Sequence, residues 1–417
     1  MKKVDLIVIG AGAAGMAAAV EAKKNGIDDI LILEKEGHLG GILNQCIHNG
    51  FGLTEFKEEL TGPEYLQRFV DEVKRLEIPY RLNAQVIDMT PEKVVTYSSK
   101  EEGLMKVQAK AIIVATGCYE RNAGAIMLPG DRCSGVITAG TAQRYLNING
   151  FMVGKRIVIL GSGDIGLIMA RRLTLEGAKV LCVSEIMPYS NGLNRNIAQC
   201  LNDYDIPLYL SRTVSKVIGK EHLEKVVLSA VDENLNIIPN TEMEFECDTL
   251  ILSVGLIPYI SVLDNLNCPI SSTKGAVVNQ YMETMVDGVF TAGNCLHVHD
   301  VVDFVSDEAR IAGRSAALYL QNLLKEEGKK INVKPGNGLG YVLPQFVYTE
   351  SVSDVVFKFR VRKPVKDQFV LVKSGENVLL KTFKPVLIPS EMVMIKLAKD
   401  KLKDVKEDIV ISLEERK

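Results

Sequence analysis

The chain lacks closely spaced cysteines. It has eight, at positions 46, 118, 133, 182, 200, 247, 268 and 295, and the closest two lie fifteen residues apart (133 − 118 = 15). No C-x-x-C or C-x-x-x-x-C motif occurs, which excludes zinc ribbons, cysteine-ligated iron–sulfur motifs and the usual redox dithiol motifs. Scattered cysteines in an otherwise ordinary chain favour reduced thiols, so we expect a cytoplasmic protein.

The chain also lacks a long apolar run and an excess of charge of one sign. Without an unbroken apolar run, we expect no membrane span. The net charge of −3 creates no global attraction to nucleic acid or acidic lipid, so neither is expected as a partner. The 417 residues, 47% apolar and 24% charged, are typical of a globular protein of about two to four domains.

What the sequence contains is an internal repeat of a strand, a glycine turn and a helix. In the first copy a buried parallel strand is predicted at Val4–Ile9, followed by the turn at residues 10–15 and an alanine-rich helix that ends at Asn25-Gly26. In the second copy the strand is Ile157–Leu160, the turn is residues 161–166, and the helix runs to Gly177.

Both copies keep the same spacing. The first glycine precedes the helix-ending glycine by 16 residues (26 − 10 and 177 − 161) and an acid after the next strand by 24 (34 − 10 and 185 − 161). Short strands forming a small β-meander follow, with a return strand at Ala111–Val114 or Thr249–Leu252. The repeat predicts an α/β fold with two Rossmann-like dinucleotide-binding domains.

The glycine turns suit a pyrophosphate because the helix N-terminus offers unpaired N–H groups and a partial positive charge. In each turn the first glycine permits the tight bend, the second lets the pyrophosphate approach, and the third lets helix and strand pack closely. The acids Glu34 and Glu185 are placed to accept hydrogen bonds from ribose hydroxyls. Glu185 would repel the 2′-phosphate of NADP, so NADH is favoured, although Arg195 lies close enough in sequence to approach that position.

The last part of the chain differs in character. Phe357, Phe359 and Val361 alternate with basic residues, which predicts a half-buried strand, and residues 374–377 resemble a hairpin turn. We predict a small C-terminal β-domain over residues 331–417. A solvated basic surface is favoured there over a docking face for an anionic partner.

Over residues 1–327 the chain resembles the two-dinucleotide-binding-domain flavoproteins, the pyridine nucleotide-disulfide oxidoreductase superfamily. The resemblance implies an FAD-binding domain at 1–120 and 270–327, with an NAD(H)-binding domain inserted at 121–269. Members usually carry Asp after Gly293, where this chain has Asn294, which still donates and accepts hydrogen bonds.

A closer resemblance lies in residues 115–121, 128–132 and 138–144. These segments are similar to a branch of multi-subunit dehydrogenases. The branch includes the smaller flavoprotein of anaerobic glycerol-3-phosphate dehydrogenase operons, the α subunits of sarcosine oxidase and dye-linked proline dehydrogenase, and a hydrogen cyanide synthase subunit. In that branch a partner subunit oxidises the organic substrate, and a plain adenine nucleotide can replace FAD.

The glycine turns and the resemblance together predict two sets of cofactor-binding residues. For FAD they are Gly10, Gly12, Ala13, Ala14, Gly15, Glu34, Lys35, Gly40, Gly41, Asn44, Gln45, Val86, Ala115, Thr116, Gly117, Gly293, Asn294, His299 and Val302. For NAD(H) they are Gly161, Gly163, Asp164, Ile165, Gly166, Glu185 and Gly255.

Cys46 is the one candidate for a catalytic side chain, because single-cysteine NADH oxidases and peroxidases of the superfamily keep a redox cysteine in this region. A nearby imidazolium or helix N-terminus would favour its thiolate. The alternative, which we favour, is a small partly buried residue lining the flavin pocket. Asn44 and Gln45 are the more plausible hydrogen-bond partners of the flavin ring edge.

His297 and His299 precede a predicted helix at Val301–Leu324. Either a cationic histidine stabilises reduced flavin, or one histidine caps the helix while the other faces solvent. No third metal ligand is apparent, so no metal is expected. The helix acids Asp303, Asp307 and Glu308 are interpreted as a solvated face.

Three functions follow from these patterns. The first is an FAD-dependent NAD(P)H oxidoreductase subunit that passes hydride or electrons between NAD(H) and a partner dehydrogenase or electron carrier. The second is a stand-alone NADH oxidase or peroxidase using Cys46. The third is a non-catalytic scaffold subunit that holds ADP or ATP. An oligomer is left open.

Overall fold

The computed structural model describes residues 1–324, 327–351 and 353–416. The chain divides into two compact units: the first comprises Met1–Asn44, Asn49–Cys118 and Pro258–Lys417, and the second comprises Gln45–His48 and Tyr119–Ile257. Within the predicted C-terminal domain, Val352 and Lys417 lie outside the described residues. The domain boundaries stated from the sequence stay predictions.

The N-terminal part of the first unit is a mainly parallel sheet flanked by helices. Its strands are β1 (Lys2–Ile9), β2 (Ile30–Leu33), β3 (Asn49–Phe51), β4 (Leu60–Thr61), β5 (Tyr80–Arg81), β6 (Ala84–Met89), β7 (Val94–Ser99) and β8 (Gly103–Val114). Its helices are α1 (Ala13–Lys24), α2 (Gly62–Arg75) and a short 3₁₀ helix at Gly41–Gln45. The order β5-β2-β1-β8 is parallel, and β7 and β6 extend it as an antiparallel meander.

The second unit repeats this plan. Its strands, with those where the chain passes between the units, are β9 (Cys118–Glu120), β10 (Val136–Thr138), β11 (Arg156–Leu160), β12 (Lys179–Ser184), β13 (Leu208–Tyr209), β14 (Arg212–Gly219), β15 (Leu223–Ala230), β16 (Met243–Glu246), β17 (Thr249–Leu252) and β18 (Leu256–Pro258). Its helices are α3 (Ala139–Asn147), α4 (Asp164–Leu175), α5 (Asn194–Cys200) and a 3₁₀ turn at Asn202–Tyr204. The sheet β10-β17-β11-β12-β13 is parallel, and β14, β15 and β16 form an antiparallel meander.

The chain then returns to the first sheet. Strand β19 (Val289–Thr291) pairs in parallel with β8, and the long helix α6 (Val302–Leu320) packs on α1. Short 3₁₀ helices lie at Ser261–Leu266 and Gly293–Cys295. The two long helices approach closely, since a Cβ added at Gly313 would lie 2.3 Å from the carbonyl oxygen of Ala18.

The C-terminal region of the first unit is built from strands. They are β20 (Glu327–Pro335), β21 (Leu339–Leu343), β22 (Phe346–Glu350), β23 (Val355–Val361), β24 (Val365–Ser374), β25 (Asn377–Leu387), β26 (Val393–Leu397) and β27 (Ile409–Glu415), with a 3₁₀ turn at Lys399–Lys401. They form the sheets β22-β20-β27-β24-β25 and β21-β23-β26, with a buried apolar core that includes Phe357 and Phe359. Strands β24 and β25 join through the predicted hairpin turn, with Ser374 opposite Asn377.

The predicted α/β fold with a β-rich C-terminal region is confirmed. Both predicted helices after the glycine turns end where expected, with Gly26 and Gly177 in the left-handed region (φ 89° and 91°). Helix α6 ends at Leu320, four residues earlier than predicted. Among the described helices, none combines the length and apolar character needed to cross a membrane.

Candidate functional site

The first glycine turn joins β1 to α1. A Cβ at Gly10 (φ 100°) would lie 2.5 Å from the carbonyl oxygen of Ala115, and one at Gly15 would lie 1.8 Å from the carbonyl oxygen of Gly10. A Cβ at Gly12 would meet no atom within 4 Å. No side chain caps α1 at Gly12, so the open space faces uncapped N–H groups, as a pyrophosphate requires.

The second glycine turn joins β11 to α4 with similar geometry. Gly161 (φ 97°) packs against the Ser253 backbone, where a Cβ would lie 2.1 Å from the carbonyl oxygen, and a Cβ at Gly166 would lie 2.7 Å from the Ser253 Cβ. At Gly163 the nearest atom would be the Ser253 hydroxyl at 3.5 Å, an ordinary contact. This turn differs in that the Ser253 hydroxyl accepts the Gly166 N–H at 3.1 Å.

The two acids hold their own glycine turns. Glu34 Oε2 accepts the Ala11 N–H at 2.7 Å, and Glu185 Oε2 accepts the Ser162 N–H at 3.0 Å and its hydroxyl at 2.6 Å. Both acids are buried. The second oxygen of each acid also accepts the backbone N–H two residues further on, at 2.8 Å in Glu34 and 3.0 Å in Glu185. Because a carboxylate has about four lone-pair sites, these bonds leave about two sites of Glu34 and about one site of Glu185 for the ribose hydroxyls.

The predicted residues Asp164, at the start of α4, and Lys35, just after β2, have different surroundings. Asp164 Oδ1 accepts the Leu193 N–H at 2.8 Å and the Asn196 amide at 2.6 Å, so it ties down the following loop. Lys35 is exposed beside Glu34. The predicted cofactor contacts of both side chains stay predictions.

The return strands end beside the glycine turns. Ala115 donates its N–H to Ile9 at 2.9 Å, and the Thr116 hydroxyl donates to the Tyr259 carbonyl. Gly117 (φ 73°) has no atom within 4 Å of an added Cβ. In the second unit Gly255 has φ 102°, with the Arg121 side chain 3.6 Å from an added Cβ.

The segment of residues 40–45 begins close to the first glycine turn. Gly40 donates its N–H to Ala11 at 2.8 Å, and a Cβ at Gly41 would lie 3.2 Å from Gly12 Cα. The Asn44 amide donates to the carbonyls of Leu39 and Gly41 at 3.0 and 3.1 Å. The side-chain amide of Asn44 is therefore bonded to carbonyl groups of its own loop.

Gln45 and Cys46 cluster with the second unit. The Gln45 amide donates to the Gly140 carbonyl at 2.9 Å and to the Gln143 side chain at 3.0 Å. Burial raises the pKa of the Cys46 thiol to about 12, although a hydrogen bond to Gln143 acts the other way. Burial, followed by the charge of Arg195, lowers the pKa of His48 to about 4. The environment therefore keeps this thiol protonated and the nearest sequence histidine neutral.

The segment after β19 meets α1. Gly293 (φ 77°) approaches Ala14 so closely that an added Cβ would lie 2.8 Å from the Ala14 Cβ. Asn294 Oδ1 accepts the His299 N–H at 3.0 Å, and its amide lies 3.7 Å from Cys118 Sγ. The predicted FAD residues Gly293 and Ala14 are thus adjacent. Val302 is the first residue of α6, and Val86 is buried in the first sheet.

The prediction that the acids of α6 form a solvated face is wrong for two of the three. Asp303 and Glu308 are 1% and 0% exposed, whereas Asp307 is exposed. Asp303 accepts the N–H groups of Gly52, Thr54 and Glu55 at 3.2, 3.1 and 2.7 Å. Burial is tolerated because donors from neighbouring segments satisfy the carboxylates.

Glu308 is the centre of a buried polar cluster that the sequence analysis did not identify. Its Oε1 accepts the Gly293 N–H at 2.8 Å, and its Oε2 lies 2.9 Å from His297 Nε2 and 2.7 Å from Lys358 Nζ. Although burial alone would raise the pKa of Glu308, Lys358 and the two histidines hold it well below its usual range. No local pattern predicts this contact, because Lys358 lies fifty residues away in sequence.

The two histidines are both buried, so the interpretation in which one of them faces solvent is wrong. Burial, followed by the charge of His297, lowers the pKa of His299 to about 3, which leaves that imidazole neutral. Its Nε2 has no hydrogen-bond partner among the described residues and lies 3.5 Å from Glu308.

A third candidate metal ligand, which was not apparent in the sequence, lies beside the two histidines, and the expectation that no metal binds stays a prediction. The candidate ligand atoms of His297, His299 and Glu308 lie within 4.8 Å of one another. The ammonium group of Lys358 already neutralises the same Glu308 oxygen, however. We therefore interpret the cluster as a buried ion pair with two histidines and derive no metal chemistry from it.

Known proteins resemble this chain over its nucleotide-binding part. It is 28% identical to a thioredoxin reductase of Bacillus subtilis, over 76% of this chain and 95% of the relative. It is 25% identical to an NADH oxidase of Methanocaldococcus jannaschii, over 78% of this chain and 69% of the relative. The crystal structure of T. acidophilum thioredoxin reductase superposes with a TM-score of 0.61 at 25% identity, covering 77% of this chain and 99% of that one.

The family model described as pyridine nucleotide-disulphide oxidoreductase matches residues 4–332, which include both glycine turns and the Gly293-Asn294 segment. Proteins of this family use FAD and NAD(P)H. The open space at Gly12 and the uncapped start of α1 fit the pyrophosphate of such a cofactor. The chain therefore belongs to the pyridine nucleotide-disulphide oxidoreductase family and is an FAD- and NAD(P)H-dependent oxidoreductase.

Proposed function

We propose that this protein is a flavoprotein subunit that passes electrons between NAD(H) and a partner dehydrogenase or electron carrier. Bound FAD and nicotinamide supply the two-electron chemistry, while the chain supplies binding and orientation. Gly10, Gly12, Gly15 and Glu34 would hold FAD, and Gly161, Gly163, Gly166 and Glu185 would hold NAD(H).

The observation that carries this proposal is the presence of two nucleotide turns without a dithiol. All eight cysteines lie in the described part of the chain, and no disulfide joins any two of them. Burial raises the pKa of Cys182 and Cys247 to about 12, which disfavours thiolate chemistry there. Electrons that enter from NADH therefore need an acceptor other than a disulfide of this chain.

Two comparisons support a partner subunit. The chain is 26% identical to one of the subunits of the opine oxidase of Agrobacterium tumefaciens, over 75% of this chain and 64% of that protein, whose name places it in a multi-subunit oxidase. The motifs at 115–121, 128–132 and 138–144 resemble those of multi-subunit dehydrogenases, in which the organic substrate is oxidised by a different polypeptide.

NADH is the proposed nicotinamide. The buried Glu185 carboxylate lies at the end of β12, where it would repel a 2′-phosphate. Its bonds to Ser162 hold it in place, so it cannot readily turn away from that position. NADPH should accordingly reduce the flavin more slowly than NADH at equal concentration.

The alternative of a stand-alone NADH oxidase or peroxidase rests on Cys46 and on the similarity to the NADH oxidase of M. jannaschii. Such catalysis uses the thiolate, and the raised pKa of Cys46 opposes its formation. Replacing Cys46 by Ser and measuring NADH-dependent peroxide reduction separates the two functions, because a peroxidase would lose its turnover.

The experiment that tests the proposal is an anaerobic NADH titration of the purified chain followed by its absorption spectrum. We expect a yellow protein whose flavin band bleaches with one equivalent of NADH and recovers on adding an artificial electron acceptor. A colourless protein that carries ADP or ATP would contradict the proposal and support the scaffold function.

A further inference from the structure

Strand β23 presents two different faces. Phe357, Phe359 and Val361 point into the apolar core of the C-terminal region. Lys358 and Arg360, which alternate with them, contact the segment between Gly293 and Glu308. The polar face of this strand is therefore covered by the part of the first unit that carries the predicted FAD residues.

Lys358 is the counter-ion of Glu308. Its Nζ lies 2.7 Å from Glu308 Oε2, and the lysine is 3% exposed. The other carboxylate oxygen, Oε1, accepts the Gly293 N–H. Gly293 also lies against Ala14 in the first turn of α1. Gly293 is therefore the single residue between the buried ion pair and the proposed pyrophosphate site at the start of α1.

Arg360 holds the next part of the same segment. Its guanidinium donates to Asp300 Oδ1 at 3.0 Å and to the Val298 carbonyl at 3.2 Å. It also donates to the carbonyls of Pro389 and Ser390, so it joins this segment to the loop before β26. A planar guanidinium suits several simultaneous acceptors of this kind.

We propose that Lys358 and Arg360 are positioning residues of the FAD site, which makes the C-terminal β-region a component of that site and not an appended module. The inference rests on the proposed binding of FAD at the first turn. Lys358 keeps Glu308 charged, Glu308 holds the Gly293 N–H, and Arg360 holds residues 298–300. Without the lysine, a buried carboxylate would lose its charge partner and the Gly293 segment would shift.

The test compares Lys358→Met, Lys358→Arg and the charge-free pair Glu308→Gln/Lys358→Met. Lys396→Met is the matched control, because Lys396 lies on neighbouring β26, is largely exposed and pairs with Asp354. For each protein, FAD is removed and rebound, and three properties are measured: the FAD dissociation constant, the flavin midpoint potential, and the thermal midpoint of the FAD-free protein.

We expect Lys358→Met to weaken FAD binding by about tenfold to a hundredfold, as the loss of a charged hydrogen bond implies, and to shift the flavin potential. Lys358→Arg should restore most of the affinity, and Lys396→Met should match the parent protein. If Lys358→Met does not fold, the charge-free pair removes the unpaired buried charge and should still bind FAD more weakly than the parent.

Equal FAD affinity and potential in the parent, Lys358→Met and the charge-free pair would overturn the inference, even if the thermal midpoint fell, because that pattern describes a purely structural ion pair. A parent protein that binds no FAD would overturn the proposed function together with this inference. A parent protein that binds FAD, with unchanged affinity and potential in the variants, would overturn this inference alone.

Discussion

Among single residues, Gly12 and Gly15 give the sharpest test of the FAD site. A Cβ at Gly12 meets no atom within 4 Å, and its φ of −74° suits alanine. We expect Gly12→Ala to change the free energy of unfolding by about 1 kcal/mol or less and to weaken FAD binding by about tenfold or more, because the methyl group enters the pyrophosphate space. The FAD dissociation constant and thermal unfolding measure the two effects.

Gly15→Ala is the contrasting variant. Its Cβ would lie 1.8 Å from the Gly10 carbonyl oxygen, so the helix must move away from the strand. This variant should lose stability as well as flavin. If Gly12→Ala bound FAD as tightly as the parent protein, the turn would not be the pyrophosphate site.

Cys46 carries a prediction on pH dependence. Because burial raises its pKa from 9.0 to about 12, the thiol stays neutral where an unfolded cysteine ionises. Iodoacetamide should therefore modify Cys46 slowly at pH 7 and faster as pH rises. The raised pKa also means that the unfolded state loses its proton first, so Cys46 lowers folding stability as pH rises above about 9, and Cys46→Ser should reduce that loss.

Peptide mapping after alkylation at pH 7, 8 and 9 identifies the modified cysteine. Rapid labelling of Cys46 at pH 7, combined with loss of NADH oxidation, would contradict this prediction and favour the oxidase function. Cys133 serves as the internal reference, because it is also partly buried.

The acids Glu34 and Glu185 illustrate how far residue patterns reach. Their positions follow from the constant spacing of 24 residues to the first glycine, which is a local property of a βαβ unit. Their bonds to Ala11 and Ser162 were not predicted, because they depend on the backbone path of the turn. Spacing thus locates an acid, whereas the folded turn decides which of its oxygens remain available.

At the scale of elements, β23 shows why a correct strand can be assigned the wrong surroundings. Alternation of Phe357 and Phe359 with basic residues predicts a strand with one apolar face, and that strand exists. The same alternation cannot tell whether the basic face meets water or another part of the chain. Lys358 is buried because Glu308 supplies its charge partner, and that contact appears only after folding.

Helix α6 raises the same difficulty. Asp303 and Glu308 are five residues apart, so they lie on different sides of the helix, and each meets donors from a separate segment. Asp303 binds loop 52–55, whereas Glu308 binds Gly293 and Lys358. A helix enclosed on several sides buries acids that helical spacing alone assigns to solvent.

The crossing of α1 and α6 makes a prediction for Gly313. A Cβ there would lie 2.3 Å from the Ala18 carbonyl oxygen, which is backbone and cannot rotate away. We expect Gly313→Ala to destabilise the first unit by about 1–3 kcal/mol through overpacking. Urea unfolding gives this free energy.

Gly340→Ala is the control for that measurement, because the nearest atom to its added Cβ lies at 3.6 Å. An unchanged midpoint for Gly313→Ala would mean that the two helices separate at little cost. That result would remove the close crossing as a source of stability for the first glycine turn.

At the scale of the whole molecule, the repeated strand–turn–helix units and the β-rich C-terminal region were predictable. They depend on hydrophobic periodicity and turn residues, which are local. The grouping of residues 45–48 with the second unit, and of the C-terminal region with the first, was not. Both groupings depend on contacts between segments that are distant in sequence, as Gln45 with Gln143 and Glu308 with Lys358 show.

A substitution in one proposed nucleotide site should leave binding at the other site unchanged, and this is the strongest test of the whole molecule. Gly163 has φ −66°, and its added Cβ would make only ordinary contacts with Ser253, at 3.5 Å from the hydroxyl and 3.8 Å from the carbonyl oxygen. Gly163→Ala should therefore fold normally and stay yellow, since its FAD turn is intact. Its flavin should be reduced by dithionite as in the parent, while reduction by NADH requires at least about tenfold more NADH.

Gly12→Ala provides the opposite pattern, with loss of flavin and retained binding of NADH to the second turn. Equilibrium dialysis of NADH against both variants measures that retention without any redox step. If Gly163→Ala were reduced by NADH as readily as the parent, the nicotinamide would have to bind elsewhere. Electron entry would then not depend on the second copy of the repeat, and the proposed division of labour between the two turns would be wrong.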